Sequence, residues 1–559
     1  MTVVAKPRPV ALDALRASLY GDGEFVAPAW LADAAADPSA FWRAVGPALV
    51  ASVAGSSRSS LFERYQLAHD LAARHAGRMS AVLAHDASAG WVATSYARIV
   101  EGARALAGAW LARGAAPGMA VAIVAPMAPE LVSALIAAWH LGLVAAPLPV
   151  WGRTYLHDRL DALAPDFVAT SKGRALWLGI PDELRMPTAA LGDAPPPGLA
   201  HLYAPDEPAL RVFSPLGDAP LAPLDVPAER LYLGALRDGA LFFSLGAERA
   251  VAAPGSCEVQ VGLPLLLSCL ATGAPLATLD LAAACVRPAL VLDGRIHVLG
   301  VHPALRDAIL AGDPGGAGPA RWFRSAATAH EPTRWAELAQ RRPFSRAVGA
   351  CYVPSPVAGG AITWSAWRRA PSLNTALPAP GLDWTLLDPG RGGAVASDGN
   401  GVLTSSVVPI AAIGQPLLGR LGGGEQLWVT SLGAHRDGQR LPAVELEALV
   451  ASRPEVGCAV LVDDPRDGGV LVVFARPDRL DAAQADTLGA ELLALIALEL
   501  APHLLPARIE VYTVMPHVGP DGAPDRDWCR GQYVSGRLAA KQRVPLFTAI
   551  AALRRALDS

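Results

Sequence analysis

The chain contains 559 residues, 52% of them apolar and 18% charged, with a formal net charge of -4 and a pI near 6.3. This length and apolar content predict several domains with large buried cores, and the weak acidity excludes the usual signature of a protein that binds nucleic acid or a membrane surface. The six scattered cysteines form no CxxC pair, which predicts neither disulfides nor a zinc site. Residues 1–25 lack the apolar core of a signal peptide, and the apolar runs are interrupted by polar residues, proline or glycine. These features predict a cytoplasmic protein without membrane insertion.

The predicted elements begin with an N-terminal extension over residues 1–60, in which Asp37 and Pro38 are the candidate N-cap and first residue of a short helix. Gly142 stands where the glycine that ends a helix is expected. Strands joined by helices predict a parallel sheet that is buried on both faces. The elements behind that prediction are a strand at 91–96, a helix at 96–113, a strand at 120–124, a helix at 130–141 and a strand at 144–148.

The later part of the chain predicts a second, smaller domain. We assign residues 61–437 to a large N-terminal domain, 438–540 to a small C-terminal domain and 541–559 to a terminal helical segment. The predicted elements of this later part are a helix at 441–451, strands at 457–463 and 469–475, a helix at 482–500 and a last helix at 544–557. The fold class is therefore α/β, with layered sheets and helices in the large domain and a small α+β domain after it.

Several segments carry a family resemblance, namely TSYARI at 94–99, LAG at 106–108, PGMAVAI at 117–123 and LGLVAAP at 141–147. They resemble the opening lobe of the adenylate-forming superfamily, which comprises acyl-CoA synthetases, adenylation domains and luciferases. DPSAFW at 37–42 is similar to the leader of its acetyl-CoA synthetase branch. The resemblance extends over nearly the whole chain. It implies an AMP-binding-like large domain and a reaction in which ATP activates a carboxylate as an acyl-adenylate before a thiol takes the acyl group.

The stretch SPLGDAPLA at 214–222 follows a predicted strand and resembles the phosphate loop of the superfamily, which ends in Pro-Lys-Gly. Ser214, Gly217 and Pro220 match that loop, and the lysine position is Leu221. The resemblance therefore implies a nucleotide loop that has lost the cation which holds phosphate.

The stretch YVPSP at 352–356 matches the superfamily motif Tyr-Gly-x-Thr-Glu. The resemblance implies that Tyr352 packs on adenine and that Ser355 meets phosphate. The glutamate that holds magnesium is replaced by Pro356, whose side chain cannot ligate a cation.

Two further positions of the nucleotide site are changed. The ribose aspartate is replaced by Leu432, an apolar side chain where two hydroxyls need partners, and the C-terminal lysine is replaced by Ala523. Arg440 matches the superfamily's Gly-x-Arg and follows the ribose motif directly, so either the interdomain hinge is deleted or residues 419–420 lie in a distorted hinge. Both alternatives would impair the rotation of the C-terminal domain that the superfamily needs between its two reaction steps.

Only three of the 47 Lys and Arg residues are lysines, and none lies between Lys172 and Lys541. Codon bias explains a general scarcity of lysine, but it does not by itself explain a missing catalytic lysine. We expect no catalytic residue and no metal or other cofactor, with ATP and Mg²⁺ needed only if the chain is an active ligase. No Gly-x-Ser-x-Gly elbow, His-x-x-x-His pair or Gly-x-Gly-x-x-Gly fingerprint follows a predicted strand to indicate another chemistry.

Three functions remain open on the sequence. The favoured one is a pseudo-ligase that binds a carrier protein or another enzyme of a lipid, polyketide or peptide assembly pathway. The second is a divergent but active acyl-CoA or acyl-carrier-protein ligase, and the third is an ATP-independent acyl binder or transferase. Trp151 and Trp322 are candidates for an acyl pocket in the third case, although core packing is the favoured interpretation of both.

Overall fold

The fold is given by a computed structural model that consists of two compact units. The first unit contains Met1–Pro149, Leu163–Pro215 and Pro223–Ser431, and the second contains Val150–Ala162, Leu216–Ala222 and Leu432–Ser559. The sequence-based domain boundaries stay predictions. The structure describes residues 12–18, 20–21, 30, 33–34, 37–54, 63–189, 198–213, 222–256, 258–312, 315–324, 332–367, 375–388, 400–405, 417–422, 426–431, 434–436, 439–464, 468–480, 482–514, 516–517, 524–537 and 542–545.

The α-helices of the described residues are mostly short and separate the strands of the sheets. None of them combines the length and the apolar character that crossing a bilayer requires. They are α1 Leu12–Ser18, α2 Pro38–Ala54, α3 Leu67–Leu71, α4 Tyr96–Leu111, α5 Pro129–Leu141, α6 Arg153–Leu163, α7 Lys172–Leu178, α8 Ala228–Leu236, α9 Leu263–Thr272, α10 Leu281–Val286, α11 Ala289–Leu292, α12 Pro303–Ala311, α13 Pro332–Gln340, α14 Ala443–Ala451, α15 Ala482–Glu499 and α16 Arg526–Val534.

The strands of the described residues form four sheets. They are β1 Tyr20–Gly21, β2 Val82–Asp86, β3 Gly90–Thr94, β4 Ala120–Val124, β5 Val144–Leu148, β6 Phe167–Ala169, β7 Arg185–Met186, β8 Pro208–Val212, β9 Leu224–Pro227, β10 Ala250–Ala252, β11 Leu276–Thr278, β12 Ile296–Gly300, β13 Arg321–Arg324, β14 Val348–Ser355, β15 Gly360–Trp367, β16 Thr375–Pro378, β17 Trp384–Leu387, β18 Asn400–Ser405, β19 Leu417–Gly422, β20 Gln426–Ser431, β21 His435–Arg436, β22 Gln439–Arg440, β23 Val456–Asp464, β24 Gly468–Ala475, β25 Arg508–Tyr512 and β26 Gln542–Pro545.

The N-terminal extension contributes α2 to the first unit. The Asp37 carboxylate accepts a hydrogen bond from the Ala40 amide at 2.8 Å, which confirms the predicted N-cap. The helix is longer than predicted because its apolar face continues to Ala54. Phe41 and Leu49 on that face are buried in the core of the first unit, so this segment is part of the packed domain.

A six-stranded sheet in the first unit has the order β7-β6-β4-β5-β8-β9 and is parallel except for its last pair. The two central strands, β4 and β5, are buried along their whole length, which confirms the predicted parallel sheet covered on both faces. Helix α5 between them ends at Gly142 with φ 78°, as its sequence position predicts.

The larger sheet of the first unit contains fourteen described strands in the order β17-β18-β19-β20-β16-β15-β14-β13-β12-β10-β11-β2-β3, with β1 beside β15. Its neighbours from β11 to β14 pair in parallel, whereas β14 and β15 pair antiparallel. The change of direction after β14 brings the chain back as a hairpin, and the described part of the candidate site lies at that hairpin.

The second unit contains a four-stranded sheet in the order β23-β24-β25-β26 together with α14, α15, α16 and α6. This mixture confirms a small α+β domain in the C-terminal part of the chain. Strands β21 and β22 pair as a short antiparallel ribbon, with His435 opposite Arg440. Val544 and Pro545, where the last helix was expected to begin, lie in β26, so the prediction is wrong there; residues 546–557 fall outside the described residues.

Candidate functional site

Few of the predicted nucleotide-binding positions can be placed. Outside the described residues lie Ser214, Gly217, Pro220, Leu221, Leu432 and Ala523. The backbone of Arg440 lies in β22, but its side chain is not among those described. The geometry of the candidate site therefore rests on Tyr352, Ser355 and Pro356, which the structure brings together at the end of β14.

Strand β14 ends in a tight hairpin. Its last residue, Ser355, is paired with Gly360, and one turn of 3-10 helix over Pro356–Ala358 connects them. Gly359 closes the turn with φ 70°, a conformation that a residue without a Cβ adopts at no steric cost. Proline at the first position of the turn suits this geometry because its ring fixes φ near the value that the turn needs.

The ring of Tyr352 is fully buried and surrounded by three phenylalanines. It stacks on Phe242 with ring centroids 5.9 Å apart, and the rings of Phe243 and Phe323 meet it edge-on at 4.9 and 5.4 Å. Such offset and edge-to-face pairs are favourable arrangements for aromatic side chains. In this structure the ring is a core residue and offers no exposed face to a ligand.

The hydroxyl of Tyr352 donates a hydrogen bond to Asp238 Oδ2 at 2.9 Å. The same oxygen accepts from the Ala361 amide at 2.5 Å, and Asp238 Oδ1 accepts from Arg237 Nε at 2.9 Å. Arg237 also donates to the carbonyl oxygens of Pro380 at 2.9 Å and Ala361 at 2.8 Å. A carboxylate and a guanidinium are thus held together in the interior, each with several partners.

Burial raises the pKa of Asp238, and the neighbouring Arg237 together with the hydrogen bonds from Tyr352 and Ala361 opposes that shift. Burial and the adjacent Asp238 raise the pKa of Tyr352 well above its ordinary value, so the phenol keeps its proton and acts as a donor. Both carboxylate oxygens of Asp238 accept hydrogen bonds from these donors. Asp238, Arg237 and Tyr352 therefore stabilise the base of the hairpin.

The turn of the hairpin is packed against the backbone of α8. Pro356 is buried along with the two residues that follow it, and Ser355 is only 2% exposed. A Cβ added to Gly234 of α8 would overlap the carbonyl oxygen of Gly359, so helix and turn approach each other at backbone distance. Arg230 of the same helix donates to the Val357 carbonyl oxygen at 3.4 Å.

This packing has a consequence for metal binding. Pro356, which the sequence resemblance aligns with a metal-binding carboxylate, lies in a buried turn and carries no donor atom on its side chain. Within the part of the chain that the structure describes, no group of three or more His, Cys, Asp and Glu residues is arranged to hold a metal ion.

Sequence reasoning missed Arg237 and Asp238, which organise this site. A signal was present, because the two charged residues interrupt a run that is otherwise almost entirely apolar between residues 231 and 245. Adjacent opposite charges within an apolar run indicate a buried, paired and hydrogen-bonded group.

The two tryptophans considered for an acyl pocket are both buried. Trp322 is 1% exposed and stacks on Trp335 at 6.3 Å, with Phe344 edge-on at 5.7 Å. Trp151 is 2% exposed and lies in the second unit, where its ring meets His503 at 5.4 Å. These contacts favour core packing for both residues.

A cavity of about 540 Å³ lies elsewhere in the first unit, among α3, α4, α5 and residues 198–200. Its lining includes Gln66, His69, Arg104 and His140 among mainly apolar side chains. Tyr352, Ser355 and Pro356, the predicted positions whose side chains the structure describes, do not line it.

No protein-family model matches the sequence, and no curated protein matches it either. Solved structures do match over most of the chain. The o-succinylbenzoate CoA synthetase MenE from Bacillus subtilis, bound with a product analogue, superposes with a TM-score of 0.64 at 14% identity, covering 86% of this chain and 99% of that chain.

Two further structures give the same result. The amide bond synthetase McbA from Marinactinospora thermotolerans has a TM-score of 0.64 at 19% identity and covers 83% of this chain and 99% of its own. A fatty acid AMP ligase from Legionella pneumophila has a TM-score of 0.59 at 14% identity, with 88% and 100% covered. At such identities the likeness shows the fold alone, and the fold is the one shared by these adenylate-forming enzymes.

Proposed function

We propose that the protein is a catalytically degenerate counterpart of the AMP-dependent acyl-CoA synthetases and ligases, unable to bind ATP or to adenylate a carboxylate. It acts instead as a partner-binding or scaffold protein in a lipid, polyketide or peptide assembly pathway. The sequence supports the loss of activity at four positions that serve a single ligand: Leu221, Pro356, Leu432 and Ala523. Each such change removes roughly 1–4 kcal/mol of binding or transition-state stabilisation.

The observation that carries the proposal is the burial of Tyr352. A ring that packs on adenine must present a face, whereas this ring is enclosed by three phenylalanines and its hydroxyl is engaged by Asp238. Opening the ring to a nucleotide would leave Asp238 with one partner fewer in a dry interior, which costs free energy. The predicted metal position supports the same conclusion, because the side chain of Pro356 has no oxygen to replace a carboxylate ligand.

The partner part of the proposal rests on what has been kept. An extensive apolar core fills the first unit, a smaller apolar cluster lies in the second, and the fold is retained over most of the length of the matching synthetase and ligase structures. A chain that keeps a ligase fold while its nucleotide motifs change fits a role in binding another protein, and a carrier protein or pathway enzyme is the partner class that the fold suggests. That suggestion is an analogy at the level of the fold.

Calorimetry with Mg-ATP tests the proposal directly, using an active acyl-CoA synthetase as a positive control. We expect no heat of binding at millimolar ATP and no pyrophosphate release with a panel of carboxylates. Saturable binding of ATP, or acyl-AMP formed from any carboxylate, would overturn it. If neither appears, affinity capture with purified carrier proteins tests the partner, and binding that survives physiological salt is the expected result.

A divergent active ligase is the second candidate, and the likeness to a CoA synthetase, an amide bond synthetase and a fatty acid AMP ligase agrees with it equally well. Arginines would then have to supply the positive charge of the missing lysines. Arg carries the same charge as Lys but presents it in a different geometry, so the site would have to be arranged differently. Pyrophosphate release that depends on both carboxylate and magnesium would identify this case. If Tyr352→Ala and Arg440→Ala left that release unchanged, the assignment of those two positions would be wrong.

The third candidate, an ATP-independent acyl binder or transferase, is distinguished by its bound ligand. Mass spectrometry of the native purified protein would detect a retained acyl-CoA or free acid. A protein that is empty and has no affinity for either compound would exclude this function.

A further inference from the structure

The second unit is built from distant parts of the chain. Residues 150–162 lie between β5 and β6, two strands of the six-stranded sheet, yet they belong to the second unit with the residues after 431. Trp151, Gly152 and the helix α6 that follows them meet α14, α15 and the turn at Pro502–Leu504 through four contacts.

The first contact joins backbone to backbone at Gly152. This residue has φ +115°, and a Cβ placed on it would overlap the carbonyl oxygen of Glu499 and lie 2.7 Å from Leu500 Cα. Next to it, the Ala501 amide donates to the carbonyl oxygen of Trp151 at 2.9 Å. Only glycine fits a position that combines this conformation with so close an approach of another backbone.

The second contact is an ion pair in the interior of the unit. Arg159 Nη2 donates to Glu445 Oε1 at 2.8 Å, and the two side chains are 0% and 3% exposed. Arg159 also donates to the Tyr155 carbonyl oxygen at 3.2 Å, and its guanidinium lies 3.5 Å from the centroid of the Tyr155 ring. Once such a pair is buried, separating it would leave a charge without its counterion, which is strongly unfavourable.

A second carboxylate, that of Asp158, lies near the ion pair of Arg159 and Glu445. Asp158 lies close enough to Glu445 for that carboxylate, after burial, to raise the pKa of Asp158. Arg159 therefore offsets the repulsion between two acidic groups on different segments of the chain. Without the guanidinium, the buried Glu445 would lose its counterion while the exposed Asp158 stays nearby as a second negative charge.

Two further contacts lie at the start of α6, one from Thr154 in its first turn and one from Trp151 just before it. Thr154 Oγ1 donates to Glu499 Oε2 at 2.9 Å, and the ring of Trp151 meets that of His503 edge-on at 5.4 Å. Each is modest by itself. Together with the glycine contact and the ion pair they fix both the first turn and the middle of the helix.

We propose that these contacts form a permanent clasp, so that residues 150–162 are an integral part of the second unit and are not released from it in the working protein. The chain enters the unit at residue 150, leaves it after 162, and enters it again at 216 and at 432. A hinge motion about residues 431–432 alone would have to open the clasp, separating Arg159 from Glu445. This inference does not depend on whether the protein binds ATP.

Hydrogen exchange on the full-length protein tests the clasp, with Gly152→Ala as the main variant and Gly531→Ala as the matched control. A Cβ on Gly531, which lies in α16 of the same unit, meets nothing within 4 Å. In Gly152→Ala we expect amides of α6 and α14 to exchange at least tenfold faster together, because they belong to one cooperative unit. In the same variant, amides of β4 and β5 should keep their wild-type exchange rates. In the Gly531→Ala control, amides of α6 and α14 should also exchange at wild-type rates.

The result that would overturn the proposal is α6 losing protection in Gly152→Ala while α14 keeps it, since the segment would then be a detachable arm. Wild-type protein in which α6 exchanges far faster than α14 would overturn it as well, because the clasp would open spontaneously.

A second set of variants covers the case in which Gly152→Ala does not fold. Arg159→Met and Glu445→Met are each expected to lower the melting temperature and to accelerate exchange in both α6 and α14. The double variant should recover most of both losses, because it removes the unpaired charge that each single change creates. Additive losses in the double variant, or an effect limited to the mutated helix, would show that the two residues do not hold the segments together.

Discussion

Tyr352 donates a hydrogen bond from its hydroxyl to Asp238, a residue 114 positions earlier in the chain, and both side chains are fully buried. The bond ties the end of β14 to the π-helical turn at Arg237–Phe242 that follows α8. A residue that the family resemblance assigns to a nucleotide is thereby part of the interior hydrogen bonding of the first unit. Substitutions of Tyr352 therefore test both the stability of the first unit and the nucleotide binding that the motif predicts.

Replacing Tyr352 by Phe should lower stability without changing nucleotide binding. The variant removes one donor from a buried carboxylate, which costs about 1–3 kcal/mol. Tyr203→Phe is the matched control, because its buried hydroxyl donates to a neutral acceptor, the Leu143 carbonyl oxygen, at 2.9 Å. The Tyr203 variant should lose less stability. Thermal unfolding and Mg-ATP calorimetry on both variants check the prediction, and an altered ATP response in Tyr352→Phe alone would contradict it.

Restoring the superfamily's carboxylate with Pro356→Glu should not create a magnesium site. The new side chain would enter a buried turn, where a carboxylate without a counterion is disfavoured, so we expect a lower melting temperature and no Mg-ATP binding. Pro117→Glu, at an exposed turn, is the control and should stay within about 0.5 kcal/mol of the wild type. Magnesium-dependent ATP binding by Pro356→Glu would show that the turn can open to solvent.

Gly234→Ala should separate helix α8 from the hairpin turn. The added methyl group would overlap the Gly359 carbonyl oxygen, and neither backbone can move aside without disturbing its own element, so a loss of about 2 kcal/mol or more is expected. Gly173→Ala in α7 meets nothing within 4 Å and should be neutral or slightly stabilising. Chemical denaturation compares the two variants, and equal stabilities would contradict the close approach.

The stability of the first unit should fall as the pH is lowered below 6.5, partly because of His75. Burial, with Arg74 and Arg78 nearby, lowers the pKa of His75 to about 3, and its Nε2 accepts from Arg74 Nε at 3.2 Å. Between pH 6.5 and 3, His75 is protonated in the unfolded chain but stays neutral in the folded chain. Each pH unit in this window therefore costs up to about 1.4 kcal/mol.

His75→Gln should flatten this pH dependence, whatever its effect on stability at pH 7. His297→Gln gives an independent test, because burial, Arg249 and Arg321 lower the pKa of His297 to about 4 and its window closes at that higher pH. Melting temperatures measured from pH 7.5 to 4.5 compare each variant with the wild type. A slope in His75→Gln as steep as in the wild type would mean that His75 is protonated in the folded protein.

The sequence predicted the regular parts of the fold because periodicity and end signals agreed there. The apolar runs of β4 and β5 predicted these strands with the bounds observed, and Gly142 marked the end of α5. In the C-terminal part, the helix and strands predicted at 441–475 differ from α14, β23 and β24 by one or two residues at their ends. Such differences are ordinary, since element ends depend on local hydrogen bonds.

What the sequence did not predict depends on contacts between distant residues. Nothing local to residues 150–162 indicates that α6 belongs with residues after 431, because Arg159 and Glu445 each look like exposed helical charges until they are paired. The role of Tyr352 was likewise assigned from its motif. Its burial by Phe242, Phe243 and Phe323 follows only from how three separate segments pack.

The two-part construction of the second unit also sets an order of events during synthesis. Arg159 leaves the ribosome 286 residues before Glu445, which at about 5–20 residues per second amounts to tens of seconds. During that interval Trp151 and the Arg159 guanidinium have none of their C-terminal contacts, so a nascent chain presents an apolar and cationic segment in the connection between β5 and β6. We therefore expect residues 150–162 to be the segment that chaperones bind during synthesis, and the segment left uncovered when the C-terminal part of the chain is truncated.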